Sequence, residues 1–171
     1  MRIVLDTSAG IAILQQEPES AALRDVWSRA DAVFISAMTL FERRVVLLWR
    51  GGIAQLIEAD TLLREGAAQV IAFDERMAGQ AADADARHGK GIHPRARLNL
   101  ADCGAHALAK SLDAPLLFEG EDLAETDVMA GLTEPASRAP PPRLASARTK
   151  EGAKRDAVRS RGHGRPGPVG P

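Results

Sequence analysis

Four carboxylates, Asp6, Glu42, Asp102 and Asp122, stand at places in this chain where they could act together on one ligand. Asp6 ends the apolar run Ile3, Val4, Leu5, and Asp102 lies at the head of a helical pattern. Asp122 comes just past a fourth apolar run, and Glu42 sits in the helical segment TLFERRVVL. Carboxylates gathered at one point repel one another and raise their own pKa values unless a cation neutralises them. Oxygen ligands of this sort suit magnesium or manganese. Each acid also has a plain structural use. Asp6, Thr7 or Ser8 can cap the next helix. Asp102 can serve a helix dipole, Asp122 can be turn chemistry, and Thr39 with Glu42 fits a capping box.

For the four to meet, they must lie at one edge of one sheet. Residues 3–5 are apolar, rich in β-branching and uninterrupted, which suits a strand buried on both faces of a parallel sheet. Further strands are expected over 32–35, 69–73 and 115–118, with a last short one near Val128. Helices are expected over 10–16, 19–30, 40–50, 53–65 and 101–112, and Asp74 can cap another. Strand, helix, strand, helix throughout implies an α/β three-layer sandwich, a parallel sheet of four to five strands covered by helices on both faces. Ligands of such sheets sit beyond the carboxyl ends of the strands. That edge would gather Asp6, Asp102 and Asp122, with Glu42 joining from the helix after the second strand.

Two helical faces carry more detail. Leu23, Val26, Trp27 and Ala30 share one face, which makes Trp27 a core residue. Val45 to Trp49 run almost all round the helix over 40–50, so that helix is either central or covered by another subunit. Gly51 and Gly52 suit its C-terminal cap, and Gly66 ends the next one.

Composition bounds the rest. The chain has 171 residues, 45% hydrophobic, only 4% aromatic and without Tyr, so its core must be aliphatic. A single cysteine, Cys103, excludes an internal disulfide framework and fits a reducing cytosol. No apolar run reaches the roughly 18 residues that span a bilayer, and the start lacks signal-peptide character. A cytoplasmic protein with no membrane partner is expected. Charge divides the chain in two. Residues 1–132 hold 13 Lys and Arg against 20 Asp and Glu, a balance of −7, whereas residues 133–171 hold 9 against 3, a balance of +6. The second part also has seven of the ten prolines and few large apolar residues, so it reads as a disordered basic tail behind a domain over 1–132.

Between Asp83 and Arg97 the chain turns polar and basic, with His88, His93, Lys90, Arg95 and Arg97 on an expected loop. No spacing there matches a zinc-ligand pattern, and a solvated loop accounts for it. Cys103 beside Asp102 is read as a small buried thiol, since no histidine is placed to activate it. His106, one helical turn after Asp102, is within reach of the acids but is assigned to packing or surface.

The segments RIVLDTSA, TLFERRVVL and LNLADCGAHALAKSLDAPLLFEGEDLAETDV, with their spacing, resemble the PIN-domain ribonucleases of the VapC toxin group. The resemblance covers residues 1 to about 130. It implies a parallel sheet sandwiched by helices, magnesium-dependent endoribonuclease activity, a cognate antitoxin that blocks the site, and a homodimer. The family's acidic quartet falls on Asp6, Glu42, Asp102 and Asp122, with Asp6 and Asp102 as principal metal ligands. The chain departs from the family at Ala101, where Gly is usual, at Gly104 (an aromatic), His106 (Tyr) and Leu123 (Phe). Those lost aromatics are expected to loosen the wall of the site.

The implied reaction is hydrolysis of RNA by water activated at a bound Mg2+ or Mn2+ ion, which also screens the phosphodiester's anionic oxygens. Glu42 and Asp122 would bind a second ion or orient the attacking water. Because the body is net negative, RNA must be met by local basic groups: Arg43, Arg44, the 90–97 loop or the tail. For Arg43 and Arg44 a solvated helix face is an equal alternative. Other classes fit less well. A response-regulator receiver needs an adjacent acidic pair near the first strand and a late strand-end lysine. A haloacid-dehalogenase-type phosphatase needs a second Asp at position 8, which is Ser. The alternative that stays open is a catalytically silent PIN module that only binds an antitoxin or RNA.

Overall fold

In the computed structural model of the chain, the described residues are 1–132. The tail expected over 133–171 lies outside the described residues.

The core is built on β1 (Arg2–Leu5), whose three apolar residues are all fully buried. Strand side chains alternate, and both faces of β1 are covered. Val4 packs among Met77, Ala81, Ala84 and Leu108 on one side, while Ile3 and Leu5 pack among Ala9, Ile13, Leu23 and Trp27 on the other. This two-sided burial is why the run is continuous rather than alternating in polarity. Strand β1 pairs in parallel with β2 (Ala32–Ser36) and with β4 (Leu116–Leu117), and β3 (Ala68–Ile71) pairs with β2. The order is β3-β2-β1-β4, all parallel.

Helices α1 (Thr7–Gln15) and α2 (Ser20–Ser28) link β1 to β2, and α3 (Ala37–Glu65) links β2 to β3. Helices α4 (Glu75–His88) and α5 (Leu100–Leu112) then carry the chain back across the sheet to β4. The strand order therefore reverses between β1 and β4. That gap is the topological switch point, where side chains and ligands have room beyond the strand ends.

The three-layer α/β reading holds, with refinements. The expected last strand near Val128 is a single bridge between Leu116 and Ala130 instead. The long α3 is two helices merged across a break at Gly52, whose φ of 69° and ψ of −164° no helix accommodates, so the boundary read at Gly51 and Gly52 is real. Its start differs: the helix begins at Ala37 with Ser36 as the cap, and Thr39 is fully buried inside it. The expected loop from Asp83 is a correction too, because α4 runs on to His88. Met77, Ala81 and Ala84 bury the face that holds it to the core. Small alanines give a weak apolar signal among so many charged neighbours, which hid the helical period. Trp27 is core as expected, its indole N–H donating to the Gly66 carbonyl at 3.1 Å.

Candidate functional site

At the switch point, the backbone N–H of Asp6 donates to the Leu117 carbonyl at 2.9 Å, tying the end of β1 to the end of β4. Extended backbone at Asp6 (φ −87°, ψ 162°) then lets it cap α1. Its Oδ2 accepts from the Ser8 amide at 2.9 Å and the Ser8 hydroxyl at 2.6 Å. Ser8 Oγ in turn accepts from the Glu119 amide at 3.0 Å, so one hydroxyl bridges the first turn of α1 and the segment after β4. Asp6 Oδ1 is buried with no partner among the described residues. The capping reading of Asp6 is thus correct and accounts for only one of its two oxygens.

Asp102 comes from α5. Asn99 caps that helix through its side chain, and Asp102 Oδ2 closes the capping box by accepting from the Asn99 amide at 2.8 Å. Glu42 projects from the second turn of α3. With Ser36 as that helix's cap, Thr39 and Glu42 do not form the box that their spacing allowed. A cavity of about 270 Å³ is lined by Asp6, Glu42 and Asp102 together with Thr7, Ser8 and Asn99.

The electrostatics follow from crowding. Burial raises the pKa of Asp6, opposed by its bonds to Ser8. Burial also raises that of Glu42, and the charge of Asp6 adds to it. Asp102 is pushed up to about 7, first by burial and then by the charges of Asp6, Glu42 and Asp122. Three carboxylates that resist ionisation in one cavity form a site that a cation would complete.

Asp122 differs from the other three. It is exposed, precedes the short 3-10 turn Leu123–Glu125 without capping it, and does not line the cavity. Its charge reaches Asp102 only as the weakest of the influences on it.

Several residues at the cavity were not singled out from sequence. Arg50 lines it, along with Glu17, Glu119, Ile11 and Val46. The signal for Arg50 was available: Glu42, Val46 and Arg50 are spaced by four and share a helical face. Arg43, expected to meet RNA, is instead buried to 1% and donates to the Ala59 carbonyl at 2.7 Å. It packs beside Gly10 between the two halves of α3, out of reach of a ligand. Arg44 pairs with Asp60 at 3.0 Å on an exposed face.

The family departures lie elsewhere too. Ala101, Gly104, His106 and Leu123 are all buried, and none lines the acidic cavity. Gly104 faces Met38 and Phe73, and Leu123 joins the core beside α4 and α5. The expected loosening of the site wall is therefore not what these changes do. Cys103 is a buried thiol pushed up to about 12 by burial and nearby acids, which makes it inert. His106 turns away from the acids and meets Asp127 at 2.7 Å.

No helix among the described residues is long and apolar enough to cross a membrane.

The PIN domain profile matches residues 3–129. A ribonuclease VapC of Mycolicibacterium smegmatis is 38% identical over 128 residues, which cover 75% of this chain and 98% of that one. Two solved structures share the fold. VapC20 of Mycobacterium tuberculosis, a toxin that cleaves the sarcin-ricin loop, superposes with a TM-score of 0.61 at 17% identity over 74% of this chain and 96% of that one. A toxin-antitoxin complex from Klebsiella pneumoniae gives 0.55 at 17% identity over 73% and 92%.

Proposed function

This chain belongs to the PIN-domain family and, within it, to the VapC ribonucleases, and from that premise we propose a divalent-metal-dependent endoribonuclease, the toxin of a toxin–antitoxin pair, working at the acidic cavity. The single observation that carries the site is the convergence of Asp6, Glu42 and Asp102 from three separate elements onto one cavity, with raised pKa values and one buried oxygen lacking a partner.

Asp6 and Asp102 are the principal metal ligands in this proposal. Ser8 and the Asn99 amide each hold one oxygen of their carboxylates in place, which fixes ligand orientation before any ion arrives. An all-oxygen donor set fits Mg2+ or Mn2+. When bound, such an ion supplies charge neutralisation at the phosphodiester and lowers the pKa of a water in the site. Glu42, which lines the cavity and has a raised pKa, would orient that water or take its proton. Asp122 stands at the margin, so its contribution is the smaller one. Arg50 is the basic residue of the cavity lining and would meet a backbone phosphate at the rim, the role that Arg43 cannot fill. In-line attack by water expels the 3′-oxygen, leaving a 5′-phosphate and a 3′-hydroxyl.

The partners in this reading are RNA, an antitoxin that covers the cavity, and a second copy of the chain. Its place of action is the cytoplasm, where the one free thiol, Cys103, stays reduced.

Cleavage of an RNA substrate by the purified chain tests the proposal. Activity should vanish in excess chelator and return with Mg2+ or Mn2+. Asp6→Asn or Asp102→Asn should lower the rate by roughly 10²- to 10⁴-fold, as expected for losing one anionic ligand. Asp122→Asn should cost less. Near-wild-type turnover by the Asp6 or Asp102 variant, or a 2′,3′-cyclic phosphate on the products, would overturn it. A chain that binds RNA or antitoxin but never cuts would be the silent module.

A further inference from the structure

Away from the acidic cavity, His88 at the end of α4, His106 in α5 and Asp127 beyond the 3-10 turn bring ligand atoms within 4.8 Å of one another. We infer that these three residues form a second metal site, of the class that takes a zinc-like transition ion.

The carboxylate of Asp127 is divided between two environments. Its Oδ1 faces the imidazoles, 2.7 Å from His106 Nε2 and 3.5 Å from His88 Nε2. Its Oδ2 faces the cations, 3.2 Å from Lys110 Nζ and 3.5 Å from Arg87 Nη1. Ligand atoms about 2.0–2.1 Å from a tetrahedral zinc lie about 3.3 Å apart, and the two Oδ1 distances bracket that value. Lys110 and Arg87 do not occupy the oxygen an ion would use. They hold the other one, as outer partners of a metal-bound carboxylate do.

The imidazoles are also short of partners. Both ring nitrogens of His88 and Nδ1 of His106 are buried and have no hydrogen-bond partner among the described residues. His93 is nearby, its ring centroid 5.8 Å from that of His88, but it is not a fourth ligand. Its Nδ1 is already engaged, accepting from the amides of Arg95 and Ala96. A water would complete four-coordination. Among the described residues neither ligating histidine has an acceptor for its second nitrogen, so binding is weaker than in a fully braced site.

Spacing alone could not reveal this group. Its ligands are 18 and 21 residues apart and come from three segments. An ion there would tie α4 and α5 to the segment that follows Asp122.

The test uses the full chain carrying Asp6→Asn and Asp102→Asn, so that the acidic cavity cannot report. After chelator treatment and dialysis, Zn2+ should raise Tm, and Co2+ should bind at one equivalent with a visible absorption band of tetrahedral type. Adding His88→Gln or Asp127→Asn, neither residue being deeply buried in the core, should weaken binding by more than the roughly 10- to 100-fold that loss of an outer partner costs. No Zn2+ shift in the acid-deficient chain, or a smaller loss on adding either substitution, would overturn the site. Failure here leaves the ribonuclease proposal untouched, because the cavity acids play no part in it.

Discussion

Asp102 serves the helix and the cavity at once, and the two make opposite demands on its charge. The carboxylate closes the α5 cap, which favours ionisation, while burial and the neighbouring acids push its pKa up to about 7. A carboxyl raised on folding stabilises the fold fully below its unfolded pKa of 3.8, and that contribution is lost as pH rises through about 7. Asp102→Asn keeps an acceptor oxygen for the cap and removes the charge. In metal-free buffer, this variant should therefore melt above wild type at about pH 8, and the difference should shrink as pH falls towards about 4. A difference in Tm independent of pH would show that Asp102 is not held against like charge. Under the proposed mechanism the same substitution costs activity, a trade of function for stability. Its neighbour Asp6 was legible for a local reason: it interrupts a buried strand. Arg43 was not legible, because a sequence does not say which face of an apolar helix turns inward.

At the scale of elements, the break in α3 decides which side chains reach the site. Gly52 adopts φ 69° and ψ −164°, a region open essentially to glycine alone. The turn lets the second half of the helix fold back, so that Ala59 packs with Leu47 and Ile11 and accepts from Arg43. Gly52→Ala should destabilise by about 1–3 kcal/mol in denaturant melts. Gly51→Ala is the control. An added Cβ there meets only the flexible end of Gln55, so stability should stay within about 1 kcal/mol. Equal melts for the two variants would remove the claim. The double glycine announced this break in the sequence, and Asp74 announced α4 in the same way, its side chain accepting from Met77 at 2.8 Å. The end of α4 went unannounced because alanines do its packing.

For the whole molecule, the remaining feature is an apolar stripe with nothing against it among the described residues. Phe41, Val45, Leu48 and Trp49 follow helical spacing along the first half of α3 and are 63%, 37%, 45% and 87% exposed. The sequence offered two readings of this helix, central or covered by another subunit, and its exposure supports the second. A homodimer seated on this face should dissociate in Trp49→Glu, seen as a monomer in sedimentation with an unchanged circular dichroism spectrum. A wild-type chain that sediments as a monomer at micromolar concentration would remove the proposal.

The sequence by itself determined the layer architecture, the parallel sheet and the identity of the acids that could meet. Those depend on local periodicity and on residues that interrupt it: Asp6 after Leu5, Gly52 within α3, Asn99 and Asp102 at the head of α5. Tertiary structure alone decided what shares a space. Return of the chain from β3 to β4 beside β1 put Ser8 against Glu119 and Asp102 near Asp6. It left Asp122 at the margin, buried Arg43, placed Arg50 in the cavity and joined His88 and His106 to Asp127. Contacts of that kind connect residues far apart in the chain, and no pattern within one helix or strand encodes them.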